Sequence, residues 1–210
     1  GGKMVWNDTL KREIPDGWSA KKYGAMIRLS FDSVCPTNFR QDIVEHYSIP
    51  AFDDNQFPVF EPANNLGSNK YKVSTASFLL SKLNARIKRL WDPYCISDKS
   101  ICSTEFMVCL SINEQNKPFC YAIANSDSFH RYLIHISSSS TGSRSRFAPL
   151  DIYEFLFPCP EKDDIIKHFN DIMREILTQI KDRKIETIKI IEQRDYLLPL
   201  LMNGQVEVMG

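Results

Sequence analysis

Between Ser81 and Lys88 the chain places a cation or an amide at every second position: Lys82, Asn84, Arg86 and Lys88. Read as a β-strand, this row shares one face, while Leu83, Ala85 and Ile87 share the other. Side chains two apart in a strand lie ~7 Å from one another, so such a row can follow a phosphate backbone or enter a groove. Asn is the residue type that pairs bidentately with adenine, and Arg with guanine. The same alternation also describes a solvated edge strand whose lysines block edge-to-edge pairing. Periodicity alone does not separate the two.

A second group follows at Ser137-Ser138-Ser139-Ser140-Thr141-Gly142-Ser143-Arg144-Ser145-Arg146. Small hydroxyls, a glycine and two spaced arginines suit a loop that bonds phosphates or base edges, and a linker has the same composition. Both groups sit in blocks of one sign. Gly67 to Trp91 holds six basic residues (Lys70, Lys72, Lys82, Arg86, Lys88 and Arg89) and no acid. Ser128 to Leu150 holds three arginines, Arg131 among them, and no acid, whereas Gln41 to Asn64 holds five acids and no Lys or Arg. Overall, 26 basic residues cancel 26 acidic ones, which excludes a globally cationic binder and an acidic disordered tail. The segregation predicts a positive and a negative face, and positive faces attract polyanions.

The signatures of catalysis are missing. There is no Gly-x-x-x-x-Gly-Lys phosphate loop, no Gly-x-Gly-x-x-Gly turn and no Gly-x-Ser-x-Gly elbow. Asp92-Pro93-Tyr94 falls one proline short of the Asp-Pro-Pro-Tyr signature of amino-methyltransferases, and no cofactor turn accompanies it. Asp182-Arg183-Lys184 has an Asp-x-Lys spacing found in some nucleases, but it lies inside a helical stripe and reads as charged helix surface. His46, His130, His135 and His168 lack metal-ligand spacing. Six cysteines, at 35, 95, 102, 109, 120 and 159, form no Cys-x-x-Cys pair and read as thiols of a reducing cytoplasm. No catalytic residue, metal or cofactor is expected. No apolar run is long enough for a membrane span, and no signal peptide is recognisable.

The elements that must position these residues fall into two styles. Residues 1–159 alternate short apolar or β-branched runs with Pro, Ser and Asn, which predicts a mostly β domain with short helices. Strands are expected at Tyr47–Phe52, Phe57–Phe60, Tyr71–Arg89 (two, or one bent) and Glu105–Ile112. Short helices are expected at Phe119–Asn125 and, capped by Ser126, at Asp127–Ile136. Residues 160–210 read as a long helix and tail. Pro160 suits the first helical position, and Glu161, Asp163 and Asp164 suit the positive end of its dipole. Apolar residues then recur at Ile165, Phe169, Ile172, Ile176 and Ile180, and again at Ile188 and Ile191, up to Leu198 before Pro199. A helix over 160–198 would be roughly 57 Å long, so part of it should project and pair with another helix through that stripe. A helix folded back on its own domain is the alternative.

The opening Gly2-Lys3-Met4-Val5-Trp6-Asn7, with Lys11-Arg12-Glu13-Ile14-Pro15-Asp16-Gly17-Trp18, closely resembles the start of a target recognition domain in the specificity subunits of type I restriction-modification systems. The ending from Glu192 to Val206, through Tyr196-Leu197-Leu198-Pro199-Leu200-Leu201-Met202-Asn203-Gly204, resembles the close of that family's C-terminal conserved helix. Tyr47-Ser48-Ile49-Pro50-Ala51-Phe52, Ser81-Lys82-Leu83-Asn84-Ala85-Arg86, Ser103-Thr104-Glu105-Phe106 and Thr141-Gly142-Ser143-Arg144 fall between them in the family's order. The resemblance implies an α+β chain: a mostly β target recognition domain, then a long coiled-coil-type helix. It implies non-catalytic reading of one half of a bipartite site in double-stranded DNA, with modification (methyltransferase) and restriction subunits as partners. The family's subunit has two such domains and two helices, so this chain corresponds to the C-terminal half, or to a short version that must dimerise. Its helix partner would come from the other half or from a second copy. By position, Lys82, Asn84, Arg86 and Lys88 lead the DNA-facing group, Ser143, Arg144 and Arg146 come second, and Lys70, Lys72 and Arg89 would touch phosphates. The second functional reading is an adaptor that works through its helix and touches DNA only nonspecifically.

Overall fold

The computed structural model describes residues 2–39, 42–137 and 147–203. These form two compact units, the first ending at Asn170 and the second beginning at Asp171. The first unit is built on four small sheets. A hairpin of β1 (Met4–Asn7) and β2 (Arg12–Pro15) opens the chain. Next come β3 (Trp18–Lys22), β4 (Ile27–Ser30), β5 (Ser33–Val34), β6 (Ile43–Tyr47) and helix α1 (Ile49–Asp54). They are followed by β7 (Val59–Pro62), β8 (Lys70–Lys72), β9 (Ser77–Ser81), β10 (Leu90–Trp91), β11 (Ser100–Cys102) and β12 (Phe106–Ser111). Helices α2 (Lys117–Ala124) and α3 (Asp127–Ser137), strand β13 (Leu156–Pro160) and helix α4 (Asp163–Met202) complete the order.

The antiparallel sheet β10-β9-β12-β4 is the centre of the unit. Every residue of β9 is buried, because both faces of this sheet are covered. Phe78 and Leu80 enter one core with Met107 and Cys109, under α2 and α3, where Phe129, Phe155 and Phe157 pack around Tyr23. The intervening Leu79, with Phe106 and Val108, enters a second core with Tyr47, Phe52 and Trp91. Alternate residues thus feed different cores, which is why the segment reads as one continuous apolar run. The second sheet, β5-β8-β11-β6-β7, is antiparallel except where β11 runs parallel to β6. Finally β13 returns to pair with β3, Pro160 opposite Trp18, so the end of the β region closes on its beginning.

Several expected elements form and others move. β12 and the two short helices lie within a residue or two of their expected bounds, and the Ser126 hydroxyl accepts from the Phe129 N–H at 3.2 Å as a cap should. The strand expected over Tyr47–Phe52 is instead the end of β6 followed by α1. The Ser48 hydroxyl accepts from Ala51 N–H at 3.2 Å, and Pro50 sits in the first turn, so capping chemistry prevails over the β-forming residues around it. Strand β7 begins two residues later than expected. The segment Tyr71–Arg89 divides into β8 and β9, and residues 82–89 are a loop rather than a strand. Pro160 belongs to β13 and not to the first helical position; α4 starts at Asp163, with Asp163 and Asp164 in its first turn.

Helix α4 is 40 residues long, ~60 Å at 1.5 Å per residue. Its opening turns belong to the first unit. Ile166 is buried there, Phe169 meets Phe119 edge-on at 5.6 Å, and Asn170 is 2% exposed. The Asn170 side chain accepts from Phe119 N–H at 2.9 Å and donates to Asn116 Oδ1 at 3.0 Å. Asn170 therefore satisfies an open donor at the start of α2 that Asn116, the residue at the cap position, leaves unbonded. The second unit, from Asp171 on, is helix. It continues through Pro199 to Met202, beyond the expected end at Leu198: one missing N–H near a terminus leaves the last turn intact, and Asn203 N–H bonds Pro199 O at 3.0 Å. Among the described residues no helix is long and apolar enough to cross a membrane.

Candidate nucleic-acid interface

The basic row expected on one strand face lies instead in the loop joining β9 to β10. Isolated pairing persists just beyond Ser81, where Lys82 N–H bonds Glu105 O at 3.0 Å, and the chain then turns at Asn84, which adopts φ 49° in the left-handed region. Asn is among the few side chains that take this conformation readily. Ile87 N–H closes the turn on Asn84 O at 3.0 Å, and Ser81 N–H closes the whole loop on Arg89 O at 3.0 Å. Lys82, Asn84, Arg86 and Lys88 therefore share a short loop, not a face set by alternation.

The loop is held from outside by three elements. The Arg89 guanidinium is buried and grips Asp53 of α1 with two parallel bonds, Nε to Oδ1 at 2.6 Å and Nη2 to Oδ2 at 2.8 Å. That fork holds the Asp53 carboxyl below the usual carboxylate range. His130 on α3 bonds Ala85 O through Nε2 at 2.8 Å, and Ala85 itself is buried. The Lys88 ammonium donates to Asn125 O at the end of α2, where the helix dipole is negative. Inside the loop the Ser81 hydroxyl accepts from Leu83 N–H at 3.1 Å.

These braces divide the sequence-predicted residues. Arg86 is exposed, Lys82 and Asn84 are half-exposed, and none of the three side chains has a hydrogen-bond or ion-pair partner among the described residues. Arg89 and Lys88 are engaged by Asp53 and Asn125. Lys70, expected at phosphate, is 6% exposed, bonds Ser68 O at 2.7 Å and Ser68 Oγ at 2.9 Å, and is pushed below the ordinary lysine range by burial. Lys72 is exposed and pairs with Asp32 at 3.3 Å. Ser143, Arg144 and Arg146 lie outside the described residues.

The expected acidic face is largely consumed by internal contacts. Of the five acids between 41 and 64, Asp42 pairs with Lys99 at 2.9 Å, Asp53 with Arg89, and Glu61 with His46 at 2.9 Å. Glu45 is fully buried, accepting from Tyr47 Oη, from Ser97 N–H at 2.7 Å and from Ser100 Oγ at 2.8 Å. Asp53, Asn125 and His130 carry no local signal of their role, because each contacts the loop across 36 or more residues of chain. Among the described residues no group of His, Cys, Asp and Glu is arranged to hold a metal ion.

Along α4, Ile165, Ile172, Ile176, Ile180 and Ile191 are exposed and Ile188 is half-exposed, while Phe169 packs on Phe119.

The fold, a mostly β unit followed by one long helix, is similar to that of solved chains from type I restriction-modification systems. A chain from the structural study of complex assembly and conformational transition of the type I R-M system matches 92% of this chain and 50% of its own length, with a TM-score of 0.62 at 19% identity. The HsdS subunit from Thermoanaerobacter tengcongensis matches 89% of this chain and 48% of its own, with a TM-score of 0.59 at 18% identity. The type I S subunit from M. genitalium matches 86% and 43%, with a TM-score of 0.54 at 10% identity. The chain thus spans about half the length of each of these structures. No protein-family model and no curated protein matches it. The resemblance read from the two ends of the sequence is borne out at the level of fold.

Proposed function

We propose that this chain is a non-catalytic DNA-reading half-subunit, recognising one half of a bipartite site for a cytoplasmic type I restriction-modification assembly. The observation that carries the reading is the braced loop 82–89. It presents the side chains of Lys82, Asn84 and Arg86, which have no hydrogen-bond or ion-pair partner among the described residues, on a fold shared with specificity subunits. A prefolded loop offering a cation and an amide to solvent needs little ordering on binding and suits base edges and phosphates. In this reading Lys72 adds a phosphate contact, whereas Arg89 and Lys70 hold the protein's own frame. Ser143, Arg144 and Arg146 keep their second-rank assignment from sequence. The isoleucine stripe of α4 takes a helix from the other half of the subunit or from a second copy, and modification and restriction subunits perform the chemistry.

The test is selection from a pool of randomised duplexes at moderate salt, with wild type and Arg86→Ala. If Arg86 reads guanine, the variant loses ~1–3 kcal/mol and one position of the enriched motif relaxes. If it touches phosphate, binding weakens alike for all sequences and the salt slope falls by about one. No change in either quantity removes Arg86 from the interface. The exposed stripe favours a second reading, a helix-mediated adaptor. Failure to retain any duplex at low salt, with helix association intact, would select it.

A further inference from the structure

Ile87 is an exposed apolar residue of the loop: part of its side chain lines a small cavity with Leu80, Ala85 and Leu133, and the rest faces water. Sequence alternation puts it on an inward face with Leu83 and Ala85, yet it stands 46% exposed beside the exposed Arg86. A single exposed aliphatic residue is ordinary by itself. Here its frame is not ordinary. Ile87 N–H is bonded to Asn84 O, the preceding Ala85 O is held by His130, the following Lys88 is anchored on Asn125, and Arg89 is forked on Asp53. The backbone is therefore fixed on both sides of Ile87, and its β-branched side chain has few χ1 rotamers to choose from. The loop holds a small apolar group at a defined position next to a cation whose side chain has no partner among the described residues, in a stretch that carries four basic residues from Lys82 to Arg89 and no acid.

A surface complementary to this must present negative charge and a small apolar group within a few ångströms of each other. The major groove of duplex DNA does so: phosphates line it, and the C5-methyl of thymine is the apolar feature on its base edges. We infer that Ile87 is a specificity-determining residue that contacts the C5-methyl of a thymine, with Arg86 on the neighbouring guanine or phosphate. The inference rests on the DNA-recognition reading above and adds a preference for thymine over cytosine that charge alone cannot supply.

The experiment uses the full chain and the motif enriched from randomised duplexes. Each thymine of the motif is replaced in turn by deoxyuridine, which removes only the methyl. At one position wild-type affinity should fall about fourfold, the factor for one buried methyl. The Ile87→Ala protein should bind the thymine and deoxyuridine duplexes alike at that position and, its side chain being half covered, should melt only a few degrees below the wild type. If no thymine is sensitive, or if sensitivity survives in Ile87→Ala, the inference is overturned and DNA recognition stands. Retention without any enriched motif likewise overturns the inference while leaving DNA binding in place. Failure to retain any duplex overturns both.

Discussion

The loop 82–89 and the helix from Asp171 onward both hold isoleucines out in water, under opposite structural conditions. The loop has irregular backbone, and its shape depends on α1, α2 and α3 gripping it through Asp53, Asn125 and His130. In the helix each backbone N–H finds its acceptor four residues earlier, so the shape is set locally. Its side-chain bonds are local too: Arg174 to Asp171 at 3.2 Å, Thr178 to Arg174 O at 2.9 Å and Thr187 to Arg183 O at 2.8 Å. An interface on the loop is pre-organised by the whole β unit, whereas an interface on the helix is a stripe set by spacing alone. Substitutions within the β unit should therefore alter the loop's function from a distance, and substitutions in the helix should act only where they are made.

The largest effect should come from the core under α3. Phe129, fully buried against Tyr23 and Phe155, should cost about 3–5 kcal/mol when changed to Ala, read by denaturant unfolding of the β unit. Next is the brace. Asp53→Ala leaves a buried guanidinium without its carboxylate, and because Asp53 is 45% exposed the loss should be about 2 kcal/mol rather than that of a fully buried pair. The same variant should weaken DNA binding although it removes a negative charge, because the loop loses its brace. Restoration of stability by Asp53→Leu with Arg89→Met, without restored binding, would show that the brace positions the loop.

Ile172→Asp with Ile176→Asp should change the unfolding free energy of the β unit by less than about 0.5 kcal/mol. It should abolish helix association in sedimentation, and a large loss of β-unit stability would contradict the local character of the helix. The smallest effect concerns pH. Burial lowers the His46 pKa below its ordinary 6.5, against the opposing pull of Glu61. The folded state therefore binds fewer protons than the unfolded one just below that pH. The His46 contribution is complete above pH 6.5 and lost as pH falls through the depressed folded value. His46→Gln should flatten that shallow slope, and the Asp53 contribution should persist until pH falls below its ordinary 3.8.

Much of this architecture was legible wherever the deciding interaction is short-range. Ser126 and the spacing after it specify α3, and the isoleucine periodicity specifies α4, because caps and turns of helix involve residues three or four apart. The family resemblance of the two ends was legible for a different reason, since it rests on strings of residues and not on their packing. The strand reading of 82–88 failed because alternation describes a pattern, while Asn84 in the left-handed region and Arg89 drawn to Asp53 impose a turn. The expected negative face is reduced for a related reason: sequence counts acids but does not show that Glu45, Asp53 and Glu61 meet buried partners.

Composition and spacing by themselves determined that this is a mostly β region followed by a long helix, that charge is segregated along the chain, and that the helix carries one apolar stripe. Only the tertiary structure decided which cations remain available, which become part of the frame, and that Ile87 faces water. The physical reason is range. Helix periodicity and capping are settled within a turn of chain, whereas desolvation and ion pairing depend on groups brought together from 36 or more residues away.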